Sequence, residues 1–153
     1  MHKYKIQLNS EIDTANFASI FAKKIKIGDI IALYGDLGSG KTFFTKKLCK
    51  FLGVKENVSS PSFVILNEYQ GDYPIFHLDL YRLGSEEELL EIGIFDFPEE
   101  SIIIIEWPNI AENILPNNTI KIKFELTENE FERQLSIFSL RELNINNLFR
   151  KEF

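Results

Sequence analysis

The chain has 153 residues, of which 44% are hydrophobic and 26% are charged, and its formal net charge is −6. The length is sufficient for one domain with a buried core, and the composition excludes an intrinsically disordered chain. A negatively charged surface does not attract nucleic acid or an anionic membrane unless a local patch or a partner supplies the contact.

The chain contains one cysteine, Cys49, so no intramolecular disulfide can form. Its context LCKFL predicts a buried thiol. The N-terminal sequence lacks the apolar stretch of a secretory signal, and no run reaches the roughly 18 apolar residues of a membrane span. We therefore expect one cytoplasmic domain over residues 1–153, of which about 142–153 form a loosely ordered tail.

The first third of the chain predicts two strands and two helices. The alternating KYKIQL predicts a strand, and the next segment predicts a helix capped by Ser10 or Asp13. DIIALY is typical of a buried strand and runs directly into GDLGSGKT. A second helix is predicted from Lys41 to Leu52, and Gly53 ends it.

The remaining segments predict a hairpin, a short helix and three further strands. SFVILNEY and YPIFHLDLY are joined by the turn QGDY, and SEEELLEIG predicts a helix capped by Ser85. IIIIE predicts a buried strand, and TENEF joins TIKIKFEL to ERQLSIFSL. The end, NINNLFRKEF, is either a short helix or a frayed tail. The whole pattern predicts an α/β domain with a mixed central sheet, flanking helices and antiparallel C-terminal strands.

The stretch GDLGSGKT, residues 35–42, matches the phosphate-binding pattern GxxxxGK[ST] at every fixed position. Glycines let the backbone wrap closely around phosphate oxygens, whose charge the helix N-terminus favours. In this pattern Lys41 bridges the β and γ phosphates, and the Thr42 hydroxyl binds Mg²⁺. The alternative is a glycine-rich turn before an ordinary helix, which the strand before and the helix after disfavour. We predict nucleotide binding.

Two carboxylates follow predicted strands. Asp79 ends PIFHLD and Glu106 ends IIIIE, so both reach the sheet edge at which open α/β sheets bind ligands. A P-loop protein holds Mg²⁺ with such a carboxylate, directly or through water. The alternative for Glu106 is a solvated strand end.

Two neighbours of these carboxylates have structural and functional interpretations. His77 lies two residues before Asp79, and a buried, hydrogen-bonded histidine is favoured over a metal ligand because zinc-type spacing is absent. Trp107 is either a core or rim residue, or a ring that stacks on a base or covers the site.

Five motifs appear together in one order and spacing. With them the chain resembles the bacterial TsaE family, the small ATPase of tRNA threonylcarbamoyladenosine synthesis. The resemblance covers most of the chain, and although a lone P-loop is common, the combination with SPSF, HLDLYR and EWP is specific. The motifs are YGDLGSGKT (34–42), NVSSPSFVILNEY (57–69), FHLDLYRL (76–83), EELLEIGIFDF (87–97) and IEWP (105–108).

The resemblance implies a P-loop ATPase that binds ATP with Mg²⁺ and hydrolyses it weakly. It also implies docking onto the TsaB–TsaD complex, which transfers the threonylcarbamoyl group to the adenosine beside the anticodon. The ATPase would reset that complex, and contact with tRNA would be indirect. Neither DNA nor a membrane is an implied partner.

The resemblance also assigns roles to individual residues. Thr42 and Glu106 match the magnesium ligands, and Asp79 matches an acidic residue that serves catalysis and the metal. Glu11 and Arg133 fall where the family closes over the base side of the nucleotide. Tyr81 and Arg82 match positions tied to catalysis or partner contact, and Ser60, Pro61 and Ser62 match a switch-like segment near the γ phosphate. The implied nucleotide-binding residues are Glu11, Asp36, Leu37, Gly38, Ser39, Gly40, Lys41, Thr42, Phe43, Ser62 and Arg133, with Lys41 also catalytic.

Two other functions use the same loop. A small-molecule kinase needs a lid, often rich in arginine, and none of the four arginines lies in a long loop. A GTPase is disfavoured because the guanine-reading motif NKxD is absent. A non-hydrolytic module, in which ATP only orders SSPSF for a partner, stays open because a switch and a slow ATPase share residues.

Overall fold

The helices and strands follow the predicted order closely. A computed structural model describes residues 1–59, 65–93 and 96–145. The strands are β1 His2–Leu8, β2 Ile30–Tyr34, β3 Leu66–Gln70, β4 Pro74–Asp79, β5 Ile102–Glu106, β6 Ile120–Leu126 and β7 Arg133–Ser139, and the helices are α1 Glu11–Ala22, α2 Lys41–Phe51, α3 Glu86–Glu91 and a 3₁₀ helix Pro108–Ala111.

In the described residues, seven strands form one mixed sheet in the order β1-β7-β6-β2-β5-β4-β3. The central strands β4, β5, β2 and β6 are parallel to one another, whereas β3 pairs antiparallel with β4, and β7 pairs antiparallel with both β6 and β1. The predicted mixed α/β sheet with antiparallel C-terminal strands is therefore confirmed.

The register of the parallel strands places functional candidates at one edge. Glu106 on β5 lies opposite Leu33 on β2 and opposite Asp79 on β4. These positions are the last residues, or the last but one, of their strands. The carboxyl ends of three neighbouring strands therefore meet beside the start of α2, which follows β2.

Two helical layers cover the two faces of the sheet. On one face α1 and α2 pack against each other in a fully buried cluster of rings, in which Phe17 stacks on Phe21 and Phe44, and Phe21 is tilted against Phe44. Cys49 belongs to this core, and burial raises the pKa of its thiol to about 12. On the other face α3 and the 3₁₀ helix contribute Leu89 and Ala111 to a second core with β4 and β5.

Serine caps begin two of the helices. Ser10 Oγ accepts a hydrogen bond of 3.2 Å from the Asp13 amide at the start of α1, so of the two predicted candidates Ser10 is the cap. Ser85 Oγ accepts the Glu88 amide at 3.2 Å at the start of α3. Each satisfies a backbone donor that a helix start leaves unpaired.

The structure corrects part of the predicted tail. We expected residues from about 142 onward to be loose, but Leu143 and Ile145 are 2% and 0% exposed, and the Leu143 amide donates to the Tyr4 hydroxyl at 2.8 Å. Apolar burial holds this segment against β1 although it forms no helix or strand. Residues 146–153, and the predicted strand start at 62–64, lie outside the described residues.

Two further findings concern the helices. The 3₁₀ helix Pro108–Ala111 directly follows Trp107 and was not predicted. Among the helices in the described part of the chain, none is long and apolar enough to cross a membrane.

Candidate nucleotide-binding site

The loop at residues 35–42, called the glycine loop below, connects β2 to α2 and requires its glycines. Gly35, Gly38 and Gly40 have φ values of 147°, 77° and 104°, which favour glycine. A β-carbon on Gly35 would also lie 2.6 Å from Ser39 Oγ and 2.8 Å from the Phe124 carbonyl oxygen. The close approach of this loop to β6 therefore excludes side chains at Gly35.

The start of α2 is suited to an anion. Gly40 is the N-cap, no side chain caps the helix, and its first turn contains no acidic residue. The first amides of a helix carry partial positive charge and lack helical partners, so they attract negatively charged groups. This is the opposite of α1 and α3, whose first turns contain acidic residues and whose serines occupy the caps.

Lys41 is 6% exposed and is held inside the glycine loop. Its Nζ donates to the Gly35 carbonyl and, at 3.4 Å, to the Asp36 carbonyl, and it lies 3.5 Å from the centre of the Trp107 ring. Burial lowers the pKa of this ammonium, and the charges of Glu106, Asp79 and Asp36 oppose that shift. The Lys41 ammonium is thus held by two carbonyl oxygens and an aromatic face, and a phosphate oxygen can replace these contacts.

Thr42 and Glu106 form a hydroxyl–carboxylate contact at the end of the glycine loop. Thr42 Oγ1 donates to Glu106 Oε1 at 3.0 Å, with Oε2 at 3.3 Å. Glu106 is 1% exposed, so its interpretation as a solvated strand end is wrong. A buried carboxylate needs a donor or a cation, and the parallel strand β5 directs it to the start of α2.

Asp79 lies at the neighbouring strand end and is half-buried. Its Oδ1 accepts the Tyr81 amide at 3.0 Å, which fixes the turn after β4. Hydroxyl and carboxylate oxygens are the ligands that Mg²⁺ prefers, and Mg²⁺ also retains water and phosphate ligands. The described residues contain no group of three His, Cys, Asp or Glu side chains that could hold a metal, so a protein-only metal cage is not formed there.

His77 lies behind the carboxylates in the core. It is 0% exposed, and its Nε2 is 3.7 Å from Glu106 Oε2. The predicted burial is confirmed, but among residues 1–59, 65–93 and 96–145 neither ring nitrogen has a hydrogen-bond partner. The predicted hydrogen bond is therefore not found in this part of the chain.

A cavity of about 410 Å³ lies in front of the glycine loop. It brings together most of the predicted nucleotide-binding residues, including Glu11 from the start of α1 and Arg133 from the start of β7. Its lining residues are Ser10, Glu11, Thr14, Leu37, Gly38, Ser39, Gly40, Lys41, Thr42, Phe43, Asp79, Glu106, Trp107, Phe124, Glu130, Phe131 and Arg133.

Arg133 connects this wall to the glycine loop. Its Nε donates to the Ser39 carbonyl at 3.0 Å and its Nη2 to the Gly38 carbonyl at 3.3 Å, while Nη1 donates to the Glu130 and Glu132 carbonyls at 2.6 and 2.8 Å. The guanidinium fork thus binds the backbone of the loop and of its own hairpin. These hydrogen bonds to the loop were not predicted, because more than 90 residues separate Arg133 from the glycine loop.

Several predicted residues lie beside the cavity or outside the described structure. The Asp36 side chain lines a neighbouring groove with Lys123. Tyr81 is exposed, and its ring lies 4.9 Å from that of Trp107; Arg82 is also exposed and does not line the cavity. The predicted switch residues Ser60, Pro61 and Ser62 lie outside the described residues.

Other lining residues were not predicted. Ser10, Thr14, Phe124, Glu130 and Phe131 complete the cavity walls. Phe131 is 69% exposed, which is unusual for an aromatic ring. The signal in the sequence was an aromatic residue in the polar turn TENEF.

The fold and the glycine loop define a class: an open α/β domain with a P-loop-like nucleotide-binding fold. A family model described as threonylcarbamoyl adenosine biosynthesis protein TsaE matches residues 8–135. The chain belongs to the TsaE family.

Similar proteins agree with this assignment. The chain is 40% identical over 124 residues to the tRNA threonylcarbamoyladenosine biosynthesis protein TsaE of Rickettsia typhi, which covers 80% of this chain and 86% of that protein. The TsaE protein of Bacillus subtilis is 38% identical over 111 residues, covering 72% and 70%. The crystal structure of YdiB from Bacillus subtilis superposes with a TM-score of 0.74 at 28% identity, covering 92% of this chain and 87% of that one.

Proposed function

We propose that the chain is a weakly hydrolysing, Mg²⁺-dependent ATPase that is needed to form threonylcarbamoyladenosine in tRNA. The observation that carries the proposal is the Thr42–Glu106 contact at the end of the glycine loop, beside the buried Lys41. Membership of the TsaE family supplies the biological process. The proposed place of action is the cytoplasm.

The glycine loop accounts for triphosphate binding. Loop and helix amides face the phosphates, and Lys41 exchanges its carbonyl partners for β and γ phosphate oxygens. Glu11 and Arg133 are proposed for the base side of the nucleotide, because both line the same cavity. Phe131, at the same wall, offers an aromatic face to the base.

The oxygen ligands at the strand ends fit a magnesium ion. Thr42 and Glu106 would hold it, with Asp79 as a further ligand or as the group that orients its water. Bound Mg²⁺ supplies positive charge against the charge that develops on the phosphates. The carboxylate of this pair that does not bind Mg²⁺ would orient the attacking water and accept its proton, and both Glu106 and Asp79 line the cavity.

The TsaB–TsaD complex is the proposed protein partner, and tRNA would be reached through it. Exposed apolar side chains, which are favourable in a protein interface, lie in the cavity lining and beside it. Leu37 is 85% exposed on the glycine loop, and Phe131 and Tyr81 are 69% and 67% exposed. Docking there would cover the nucleotide and shield it from water.

Calorimetry with MgATP tests the site. Lys41→Ala and Thr42→Ala should each lose at least about tenfold in affinity, because one removes the phosphate cation and the other removes a metal ligand. Lys46→Ala, an exposed lysine on the same helix, is the matched control and should bind like the wild type. Retained affinity in the folded Lys41→Ala protein would contradict the site.

Hydrolysis assays test the activity. The wild type should release phosphate slowly, and the TsaB–TsaD complex should accelerate release. Pull-down of TsaB and TsaD with and without ATP shows whether the nucleotide controls docking. Equal capture with ATP and a non-hydrolysable analogue, together with no turnover, would instead identify a non-hydrolytic module.

A further inference from the structure

Acidic and basic residues are unevenly distributed along the chain. The segments 14–28 and 37–55 contain no aspartate or glutamate, although acidic residues outnumber basic ones in the whole chain by 23 to 17. Seven lysines, which lie in α2 and in the segments that follow α1 and α2, form what we call the lysine face. They are Lys23, Lys24, Lys26, Lys46, Lys47, Lys50 and Lys55.

No salt bridge between described residues neutralises these lysines. Within residues 1–59, 65–93 and 96–145, the lysine ion pairs are those of Lys121 and Lys123 with Glu112 and Glu125, and no lysine of the lysine face takes part. Positive charges grouped in this way, without carboxylate partners in the described residues, create a local positive potential that the net charge of −6 conceals.

Two grooves run across this face. One is lined by Lys46, Lys50 and Lys55 and also by Glu56. The other is lined by Lys23, by Asp72 and by the rings of Phe51 and Tyr73, which are 43% and 44% exposed. The grooves follow one another along the last turns of α2, because Lys50 lines the first and Phe51 the second.

We propose that the lysine face binds the sugar–phosphate backbone of RNA, and that Phe51 and Tyr73 stack on an unpaired base. The ammonium groups match a polyanion, and the exposed rings in the groove beside Lys23 match bases rather than an acidic protein surface. The choice of RNA rests on the proposed function in tRNA modification, to which this surface would add a direct contact with tRNA beside the one made through TsaB–TsaD. The surface lies outside the ATP cavity, since the two sets of lining residues do not overlap.

Fluorescence anisotropy with a labelled, unmodified tRNA transcript tests the proposal over a series of salt concentrations. The wild type should bind with a Kd of about 10⁻⁴ to 10⁻⁶ M, which is typical of electrostatic contact with nucleic acid. The triple variant Lys46→Glu, Lys50→Glu, Lys55→Glu should weaken binding at least about tenfold. The slope of log K against log salt concentration should decrease in magnitude by about 2 to 3.

A second triple variant provides the control. Lys3→Glu, Lys5→Glu and Lys123→Glu change the net charge equally but lie in β1 and β6, and tRNA affinity should change less than about threefold. Phe51→Ala should weaken binding of single-stranded RNA at least about fivefold without altering the salt slope, because stacking carries no counterion release. Circular dichroism checks that each variant is folded.

Three results would overturn the proposal: no tRNA binding by the wild type, equal losses in the two triple variants, or an effect of the lysine-face variant on TsaB–TsaD capture alone. The last result would identify an acidic protein surface as the partner. MgATP calorimetry on the same proteins separates this proposal from the proposed ATPase. ATP binding without tRNA binding defeats only the lysine face, and tRNA binding without ATP binding defeats only the ATPase.

Discussion

Glu106 is a buried carboxylate whose environment explains its proposed role. Thr42 donates to it from the cavity side, and His77 lies 3.7 Å away on the core side. Glu106→Gln preserves the shape and can still accept the Thr42 hydroxyl, but it removes the charge that would bind Mg²⁺ and the base that would accept a proton. Phosphate release should therefore fall about 10² or more while the fold is retained.

The matched control for this variant is Glu112→Gln. Glu112 is an exposed carboxylate in the segment after β5, paired with Lys121 and Tyr34, and it does not line the cavity. Its hydrolysis rate should equal that of the wild type. A normal rate in folded Glu106→Gln would assign Glu106 a structural role only.

Trp107 has a backbone conformation that links it to the site. Its φ of 54° is rare for a residue with a side chain, and it directs the indole over the Lys41 ammonium. If MgATP draws Lys41 to the phosphates, this cation leaves the ring, and the fluorescence of the single tryptophan should change. The titration should saturate with the affinity measured by calorimetry.

Lys41→Ala is the control for this signal, because it lacks the cation from the start. Its unliganded fluorescence should already differ from that of the wild type. A flat titration of the wild type at concentrations where calorimetry shows binding would mean that Lys41 does not leave the indole.

At the scale of elements, the β6–β7 hairpin is fastened to the glycine loop by one side chain. Arg133 uses its planar fork to hold the Gly38 and Ser39 carbonyls. Arg133→Lys retains the charge but cannot reproduce this geometry, so the loop loses its preset shape. MgATP affinity should fall about tenfold by calorimetry in Arg133→Lys, and no less in Arg133→Gln.

Gln134→Ala is the neighbouring control. Gln134 is exposed on the same strand, and MgATP affinity should be unchanged in this variant. If Arg133→Lys bound normally while Arg133→Gln did not, charge alone would be required, and direct contact with the nucleotide would replace the positioning role.

Some features of the site were predictable from the sequence, and others were not. The position of Glu106 and Asp79 was predictable, because the ends of parallel strands meet at one edge. The contact of Arg133 with Ser39 was not, because it depends on the exact approach of a hairpin to a loop remote in sequence. The positive φ of Trp107 was also unpredictable, since no glycine or turn motif marks it.

At the scale of the whole molecule, the segment after β7 is bound to the turn before β2, at the end of that strand opposite the cavity. Arg141 donates to both carboxylate oxygens of Asp29, at 2.7 and 2.5 Å, and to the Lys24 carbonyl at 2.8 Å. Asp29 also accepts the Lys26 amide at 2.7 Å. This bidentate pair joins the segment after β7 to the turn before β2, and its hydrogen bonds raise the pKa of Arg141.

Arg141→Ala tests this closure, because it leaves the Asp29 carboxylate, which is 9% exposed, without its cation. Hydrogen bonds to charged groups contribute about 1.5–3 kcal/mol, so the free energy of unfolding should fall by about that amount. Urea denaturation should show a lower midpoint with an unchanged slope, since the area exposed on unfolding stays the same. Glu142→Gln, an exposed neighbour, should leave the midpoint unchanged. An unchanged midpoint in Arg141→Ala would mean that burial of Leu143 and Ile145 alone holds this segment.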